Sequence, residues 1–503
     1  MPNIRLRWRI LLTAASSVLY FLAFVGFDQW YLAWICLVPL LFALEGLTPK
    51  KGFLLGWLFG IIALTGGFYW VAYTIHVFAF MPWFASGIGC VLLSLLQGTE
   101  FALFALLYTW LRQRTKLSPV LIGTIAFVAA EFISPQLFPH YFGASQYLQL
   151  KLIQISDITG VIGVTALIAL VNTAIYQATS SYIFDKTIKW KPVLTVSVLI
   201  AAALIYGHFR IKSIDSDTSE YPSLRFGITQ VNLGIREKSL NPAKARRLNQ
   251  EQTIILKEAG ADIVIWPETA IKQPILKEGQ TKLQEIITGD IHIPIMTGEF
   301  LEGRGKPSPI YNIAVLADEY GDILGIYKKQ KLLMMGEYIP FGNTFPILYD
   351  WMPYVSHMTP GDSYQPLKFK GHSLSVNICY EEILPRFIGK MMKYNPNVMV
   401  NITNDNWFGK TSEPKQHLAL SIFRSVENRR WLVRSTNTGI SAFVDATGRI
   451  VQQTPLMEPA MLIQDVPMLK GRTIYMIFGD WLGWLSLFSI AAVTLTKRRS
   501  SHL

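Results

Sequence analysis

Cys379, in the stretch "VNICYEEILP", stands between a β-branched apolar run and two glutamates. The only other cysteines, Cys36 and Cys90, lie in long apolar segments and offer it no obvious disulfide partner. An unpaired thiol outside a membrane, in an oxidising compartment, is either buried and inert or kept for chemistry. Two more reactive types close apolar, strand-like runs in the same region: Glu268 in "VIWPETA" and a lysine in "GIYKKQKLL". The three types together suit acyl transfer. A thiolate is a strong nucleophile but scarce at neutral pH, so a nearby carboxylate serves as base. A lysine ammonium can stabilise the oxyanion of a tetrahedral intermediate. Singly, each has an ordinary explanation: a solvated cap, a solvated face and a small buried hydrophobe. On the residues alone Lys328, Lys329 and Lys331 are equal candidates. The sequence carries no Cys/His metal spacing, no P-loop and no G-x-S-x-G elbow, so neither a metal nor a cofactor is expected. His417, in "PKQHLAL", reads as a structural hydrogen bonder.

The elements that must position these groups are short β-branched runs alternating with amphipathic stretches. Strands are expected at "LRFGITQVN", "DIVIWPE", "IPIMTGEF", "YNIAVLAD", "ILGIYKK", "SLSVNICYEE", "VMVNITND" and "LVRSTNTG", and helices over 242–259, 275–288, 384–394 and 414–430. This mixture predicts an α/β or layered sandwich fold. In open α/β sheets reacting groups gather at the carboxyl ends of strands, which is where Glu268, the lysine and Cys379 fall.

The rest of the chain is a different material. Of 503 residues 51% are hydrophobic and 16% charged, and mean hydropathy is +0.31, too apolar for an ordinary soluble protein. Apolar segments run over roughly 10–26, 29–46, 54–75, 83–111, 117–134, 156–179 and 191–208, with an eighth near 474–496. Most approach the roughly 20 residues a bilayer crossing needs, and the first two could instead form a re-entrant pair. The expected division is 1–215 for a membrane part of about seven helices, 216–470 for the globular domain and 471–503 for a last helix with a basic tail. The N-terminal segment reads as a retained helix rather than a cleaved signal peptide. The net charge of +12 sits largely in clusters beside apolar segments, which excludes a nucleic-acid reading. If the spans alternate, Arg5, Arg7, Arg9, Lys50, Lys51, Arg112, Arg114, Lys116, Lys186, Lys189, Lys191, Lys497, Arg498 and Arg499 share one side, with Arg210 and Lys212 opposite. The positive-inside bias makes that side the cytoplasm, so both termini face inward and the middle domain outward.

Two apolar loops stand out. "EFISPQLFPHYFGASQYLQL" reads first as an interfacial aromatic belt with a turn, and otherwise as a cavity lining. "FPILYDWMPYVSHMTPGDSYQP" reads as a mobile lid that touches lipid, against a buried Ω-type loop.

The Glu…Lys…Cys order resembles the nitrilase superfamily of thiol hydrolases and acyltransferases. With its flanking spans the chain is similar end to end to the apolipoprotein N-acyltransferase family. The motifs that carry the likeness are "SDITGVIGVTALIALVNTAIY", "WPET", "YNIAVLAD", "GDILGIYKK", "GEYIPFG", "ICYEE", "NDNWFG" and "RSTNTGISAFVDATGRI". The resemblance implies a polytopic α-helical membrane domain plus an αββα nitrilase-like outer domain, in a bacterial inner membrane with the catalytic domain in the periplasm. It implies Glu268 as general base, Lys329 as oxyanion stabiliser and Cys379 as nucleophile, with Glu337, Tyr380 and Glu381 in support. The family spacing Tyr-x-Lys-x-x-Leu, here Tyr327, Lys329 and Leu332, selects the middle lysine. Trp407 and Phe408 are expected in the pocket wall.

The implied reaction has two steps: Cys379 takes an acyl chain from a phospholipid as a thioester, and the α-amine of a diacylglyceryl-cysteine lipoprotein accepts it. The bilayer is a third partner, nucleic acid is not one, and the protein is expected to be a monomer. The chain departs from the family at Met334 and Met335, where Pro-Phe is usual, and at Lys331, where histidine is common. A family tryptophan also has no counterpart in "NLGIREKSLN". The alternatives are a membrane-anchored amidase acting on a small amide and a scaffold that only binds acylated proteins.

Overall fold

The computed structural model describes residues 4–271, 275–283 and 285–500. The chain divides into two compact units, one of Met1–His76, Phe80–Ile211 and Ile477–Leu503, the other of Val77–Ala79 and Lys212–Met476.

The first unit is helical. Among the described residues three helices are long and apolar enough to cross a bilayer: Trp83–Arg114, Val161–Asp185 and Trp190–Thr218. Pro49–Gly67 and Trp70–Phe78, bent by 59°, make a fourth if taken as one span. Leu6–Leu22, Trp30–Leu44, Pro119–Ile133 and Trp481–Leu495 are apolar but shorter. Seventeen residues reach about 25 Å at 1.5 Å per residue, a little less than a roughly 30 Å hydrocarbon layer. Only 17% of the most apolar window of Trp190–Thr218 is buried within the protein, so most of its surface calls for hydrocarbon. Small residues allow close packing: a Cβ on Gly56 would stand 2.3 Å from the carbonyl oxygen of Phe101, the close backbone approach typical of membrane helices.

The loop after Pro119–Ile133 folds back into the helical unit. Its stretch 142–146 is buried, and polar side chains from the bundle hold it there. Glu131 accepts from Phe142 N at 2.8 Å and from Thr165 Oγ1 at 2.8 Å. Gln97 accepts from Leu137 N and Phe138 N, both at 2.9 Å. Irregular buried backbone needs such internal partners.

The second unit is a two-sheet sandwich. Its strands are β1 (Ser223–Gln230), β2 (Ile263–Ile265), β3 (Leu276–Lys277), β4 (Ile295–Glu302), β5 (Ile310–Ala317), β6 (Ile323–Lys328), β7 (Leu367–Phe369), β8 (His372–Ile378), β9 (Val398–Thr403), β10 (Leu432–Thr436), β11 (Ala442–Val444), β12 (Ile450–Gln453) and β13 (Ala460–Pro467). One sheet runs β13-β1-β2-β4-β5-β6 with β3 on β4; the other runs β12-β11-β10-β9-β8-β7. The β1-β2-β4, β3-β4 and β8-β9-β10 pairings are parallel and the others antiparallel. Fully buried runs such as "VMVNIT" in β9 are what a strand covered on both faces requires. Ser435 Oγ on β10 lies within hydrogen-bond distance of the carbonyl oxygens of Thr229 and Ile265, at 3.3 and 3.2 Å, joining the two sheets.

Helices Pro242–Glu258, Pro385–Met392 and Glu413–Asn428 stand where the periodicity places them. The helix expected over 275–288 does not form as such. That stretch begins as β3 and turns helical only at Glu285–Thr288, because its apolar residues pack from a wandering chain onto the outer face of the first sheet: Leu276, Leu283 and Ile287 join Trp266, Ile295 and Val315 in one core.

Candidate active site

Three strands deliver the expected groups. Glu268 follows β2, Lys329 follows β6 and Cys379 follows β8. All three are buried, Lys329 to 1% exposure and Glu268 and Cys379 to 6%. Of the "KKQK" lysines, Lys329 is the one turned inward. Its Nζ donates to Glu268 Oε1 at 3.2 Å and to Glu337 Oε1 at 2.8 Å. Asn312, in the middle of the site on β5, donates through Nδ2 to both carboxylates, at 2.7 and 2.9 Å. Glu337 Oε2 accepts from Leu333 N at 2.8 Å, which closes the loop after β6 over the lysine. Two carboxylates sharing one ammonium and one amide form a cluster rigid enough to aim a base.

Two of the strand ends leave the sheet through left-handed backbone. Cys379 has φ of 54° and Thr269, after Glu268, has φ of 47°. Non-glycine residues in this region cost energy and gather at functional sites. The turn at Cys379 ends the strand and begins a short 3₁₀ helix, Cys379–Ile383. Asn401 Nδ2 donates to the Cys379 carbonyl at 3.1 Å and fixes that turn. Beneath Glu268, a Cβ on Gly298 would stand 2.6 Å from Glu268 Cα, so only glycine lets β4 run so close.

Glu381 acts on the loop rather than on the cluster. Its oxygens accept from Ile378 N, Gln330 N, Lys331 N and the Tyr327 hydroxyl at 2.8 to 2.9 Å. The carboxylate thus ties the turn after β8 to the chain after β6. Tyr380 is half-buried and its hydroxyl makes a long 3.4 Å contact to the Leu332 carbonyl. Phe408 is buried and Trp407 half-buried on a short 3₁₀ helix, Asp405–Phe408.

The electrostatics follow from burial. Burial raises Cys379 well above an ordinary thiol, the Glu268 and Glu337 charges add to this, and Lys329 only partly opposes it. The group is therefore a thiol at rest and needs a base at the moment of attack. Burial likewise raises Glu268, against the pull of Lys329. Burial alone would lower Lys329, but Glu268 and Glu337 outweigh it and hold the ammonium well above its ordinary value. Burial lifts Glu381 to about 7 despite its donors.

Behind the cysteine turn lies a second buried network that sequence reasoning missed. Arg434 donates to Glu382 Oε1 at 2.7 Å and to Asp405 Oδ2 at 3.2 Å. His417 bridges the same pair, Nε2 to Glu382 at 3.1 Å and Nδ1 to Asp405 at 3.2 Å. Asp405, Glu413 and His417 come close enough to hold a cation, yet the network carries its own countercharges in Arg434 and a protonated His417. The structural role expected for His417 is the one its contacts describe. A signal existed: an arginine inside the otherwise apolar "LVRST" strand must find buried carboxylates.

A cleft of about 590 Å³ opens beside Tyr380, lined by residues of the 330–343 loop, Tyr349 and the 357–360 segment. Trp407 and Phe408 are not among its walls. The stretch 345–366 is neither wholly buried nor wholly free. Its base is pinned, with Met358 N on the Glu337 carbonyl at 3.0 Å and Gly361 N on the Lys329 carbonyl at 2.8 Å. The neighbouring tip exposes Phe341, Phe345, Ile347 and Trp351.

Comparison with known proteins places these features in company. Residues 16–174 match the apolipoprotein N-acyltransferase N-terminal domain family, and residues 172–474 match the carbon-nitrogen hydrolase family. The chain is 31% identical to an apolipoprotein N-acyltransferase of Bdellovibrio bacteriovorus, over 98% of this chain and 93% of the other. It is 29% identical to one from Geobacter metallireducens, over 98% and 96%. Among solved structures, an amidase from Nesterenkonia sp. AN1 aligns at 21% identity with a TM-score of 0.37, over 49% of this chain and 92% of that one.

Proposed function

Since the chain belongs to the apolipoprotein N-acyltransferase family, we propose that Glu268, Lys329 and Cys379 carry the transfer of an acyl chain from a membrane phospholipid to a lipoprotein amine. The observation that carries this assignment is the buried Glu268–Lys329–Glu337 cluster bridged by Asn312, whose charges act on the Cys379 thiol. In the first step Cys379 Sγ attacks the ester carbonyl while its proton passes to Glu268. Lys329 stabilises the oxyanion, and Glu268 returns the proton to the departing lysophospholipid oxygen. In the second step the α-amine of the diacylglyceryl-cysteine attacks the thioester. Glu268 takes a proton from that nitrogen and gives it to the leaving sulfur. Glu337 holds the lysine, Glu381 ties the two loops and Tyr380 flanks the nucleophile.

The architecture suits lipid substrates. Withdrawing an acyl chain into water costs about 0.8 kcal/mol per CH₂, so the chemistry belongs at a bilayer surface. We read 1–215 as the membrane domain, 216–470 as the outer catalytic domain and 471–503 as the closing helix and tail. The basic clusters favour a periplasmic catalytic domain, cytoplasmic termini and an inner-membrane location, and the protein acts as a monomer. The exposed aromatics near 341–354 form a lid that meets lipid. Hydrolysis of a small amide is the weaker reading, because relatives matched over nearly the whole chain are acyltransferases by name.

The test is the intact mass of detergent-purified protein after incubation with phosphatidylethanolamine. The acyltransferase reading expects one added acyl group, removed by neutral hydroxylamine and missing in Cys379→Ser. Folded wild-type protein that gains no acyl mass from any phospholipid would remove the donor step.

A further inference from the structure

The cleft beside Tyr380 has a chemistry of its own. Of its walls, Lys331 is the formal cation, and no aspartate or glutamate is among them. Gln330, Asn343 and Tyr338 add neutral donors. The three lysines of "KKQK" are divided by partner. Lys328 pairs with Glu278 at 3.5 Å, and Lys329 is shared by two glutamates. Lys331 is exposed and its ammonium pairs with no carboxylate among the described residues.

The position of Lys331 is nonetheless fixed. Its backbone N–H donates to Glu381 at 2.9 Å, two residues beyond Cys379. Across the cleft, His357 Nε2 meets Asn343 Oδ1 at 3.0 Å and stacks on Tyr349 with ring centres 4.5 Å apart. The Asn343 oxygen is thereby engaged, which leaves its NH₂ as a donor. Phe341 lines the cleft and is 77% exposed, so the cleft is bordered by the surface that suits lipid.

We propose that this cleft binds the phosphodiester headgroup of the phospholipid donor, with Lys331 as its principal contact. The proposal rests on the acyltransferase reading above and deepens it. A phosphodiester is a monoanion at neutral pH with two unbridged oxygens, which one ammonium and a few neutral donors satisfy. The acceptor's reacting group is an amine, which gains nothing from a lysine with no carboxylate nearby. The cleft is walled by Tyr380, the residue next to the nucleophile in the chain, and the Lys331 backbone is tied to Glu381 in the same turn, so a headgroup held there sits on the Cys379 side of the domain. Lys331 is then a donor-specificity residue that leaves the chemical steps alone.

The experiment measures acyl-enzyme formation by the full-length protein in detergent, for wild type, Lys331→Gln and Lys331→Arg. Two donors are compared: phosphatidylethanolamine and the uncharged galactosyl diacylglycerol. Exchanging one charge-assisted hydrogen bond for a neutral one predicts a donor KM raised roughly three- to tenfold in Lys331→Gln. Saturated turnover should be unchanged, Lys331→Arg should recover most of the loss, and the uncharged donor should show no change. Glycerophosphoethanolamine should compete with the donor in wild type and much less in Lys331→Gln. An unchanged KM, or an equal rise with the uncharged donor, would overturn the proposal. Inorganic phosphate competing as well as glycerophosphoethanolamine would overturn the lipid assignment and leave a bare-phosphate site. Failure of the parent reading looks different: wild type would then form no acyl-enzyme from any donor.

Discussion

Burial and like charge hold Cys379 as a thiol and keep Glu268 above the ordinary carboxylate range, so the pair works only if the carboxylate is ionised when substrate arrives. Lys329 stays an ammonium across any working pH, which leaves Glu268 to set the acid limb of the first step. Acyl-enzyme formation should therefore rise with pH through a value above 4.5. Glu268→Gln should lose roughly 10² to 10⁴ in that rate, and its residual activity should lack the acid limb. Rapid-quench mass spectrometry across pH checks both, and a Glu268→Gln rate within threefold of wild type would remove the base assignment. At this scale the sequence is informative about reacting types but not about partners. Glu268, Lys329 and Cys379 are legible because each closes an apolar run. Asn312 lies inside such a run, "YNIAVLAD", where its polarity could have been noticed but its two carboxylate partners, 25 and 44 residues away, could not. The bare residues also leave three lysines open; the family spacing selects Lys329, and the fold is what buries it.

The second buried network belongs to the scale of elements, because it locks four of them together. Glu382 comes from the turn after β8, Asp405 from the 3₁₀ helix after β9, His417 from helix Glu413–Asn428 and Arg434 from β10. Burial and Arg434 push His417 down, but Asp405 and Glu382 outweigh both and lift it to about 10 from 6.5. Burial raises Asp405, but Arg434 and His417 outweigh it and hold it at about 2, against 3.8. The His417 contribution to stability is complete below pH 6.5 and is lost as pH rises toward 10. That of Asp405 is complete above 3.8 and is lost as pH falls toward 2. Unfolding temperature in detergent should thus decline from pH 6.5 to 9. His417→Gln should be less stable at pH 6 by about 3–5 kcal/mol and should have lost that slope; an unaltered slope would mean the histidine is neutral. Such long-range locking is invisible to periodicity, which reads one element at a time. Helices Pro242–Glu258 and Glu413–Asn428 are legible from their own patterns. Strands β7, β11, β12 and β13 are not, since three are only three or four residues long and β13 is half-buried along most of its length. The 275–288 stretch misleads for the converse reason: its apolar residues mimic helical spacing while answering to a core that only the folded sheet creates.

On the whole-molecule scale the open question is which side of the membrane receives the second unit. The sequence speaks to this through charge: the basic clusters at 5–9, 50–51, 112–116, 186–191 and 497–499 share a side if the spans alternate, and Arg210 and Lys212 oppose them. Helix lengths alone cannot carry that argument, since among the described residues three helices, or four with the bent pair, meet the length for a crossing. The native thiols offer a clean test, because Cys36, Cys90 and Cys379 are all buried and an introduced surface cysteine would report alone. Glu319, on the exposed turn between β5 and β6, and Thr187, exposed between Val161–Asp185 and Trp190–Thr218, are suitable sites. In intact cells with a permeable outer envelope, a membrane-impermeant maleimide should label Glu319→Cys at once. Thr187→Cys should label only after the inner membrane is opened. The reverse pattern would turn the protein over and put the thiol chemistry in a reducing compartment. Equal labelling of both sites would mean that the spans between them do not separate two aqueous sides. The expected pattern would set the Cys379 turn on the outer face, where burial in the Glu268–Lys329 cluster is what shields an unpaired thiol from oxidation.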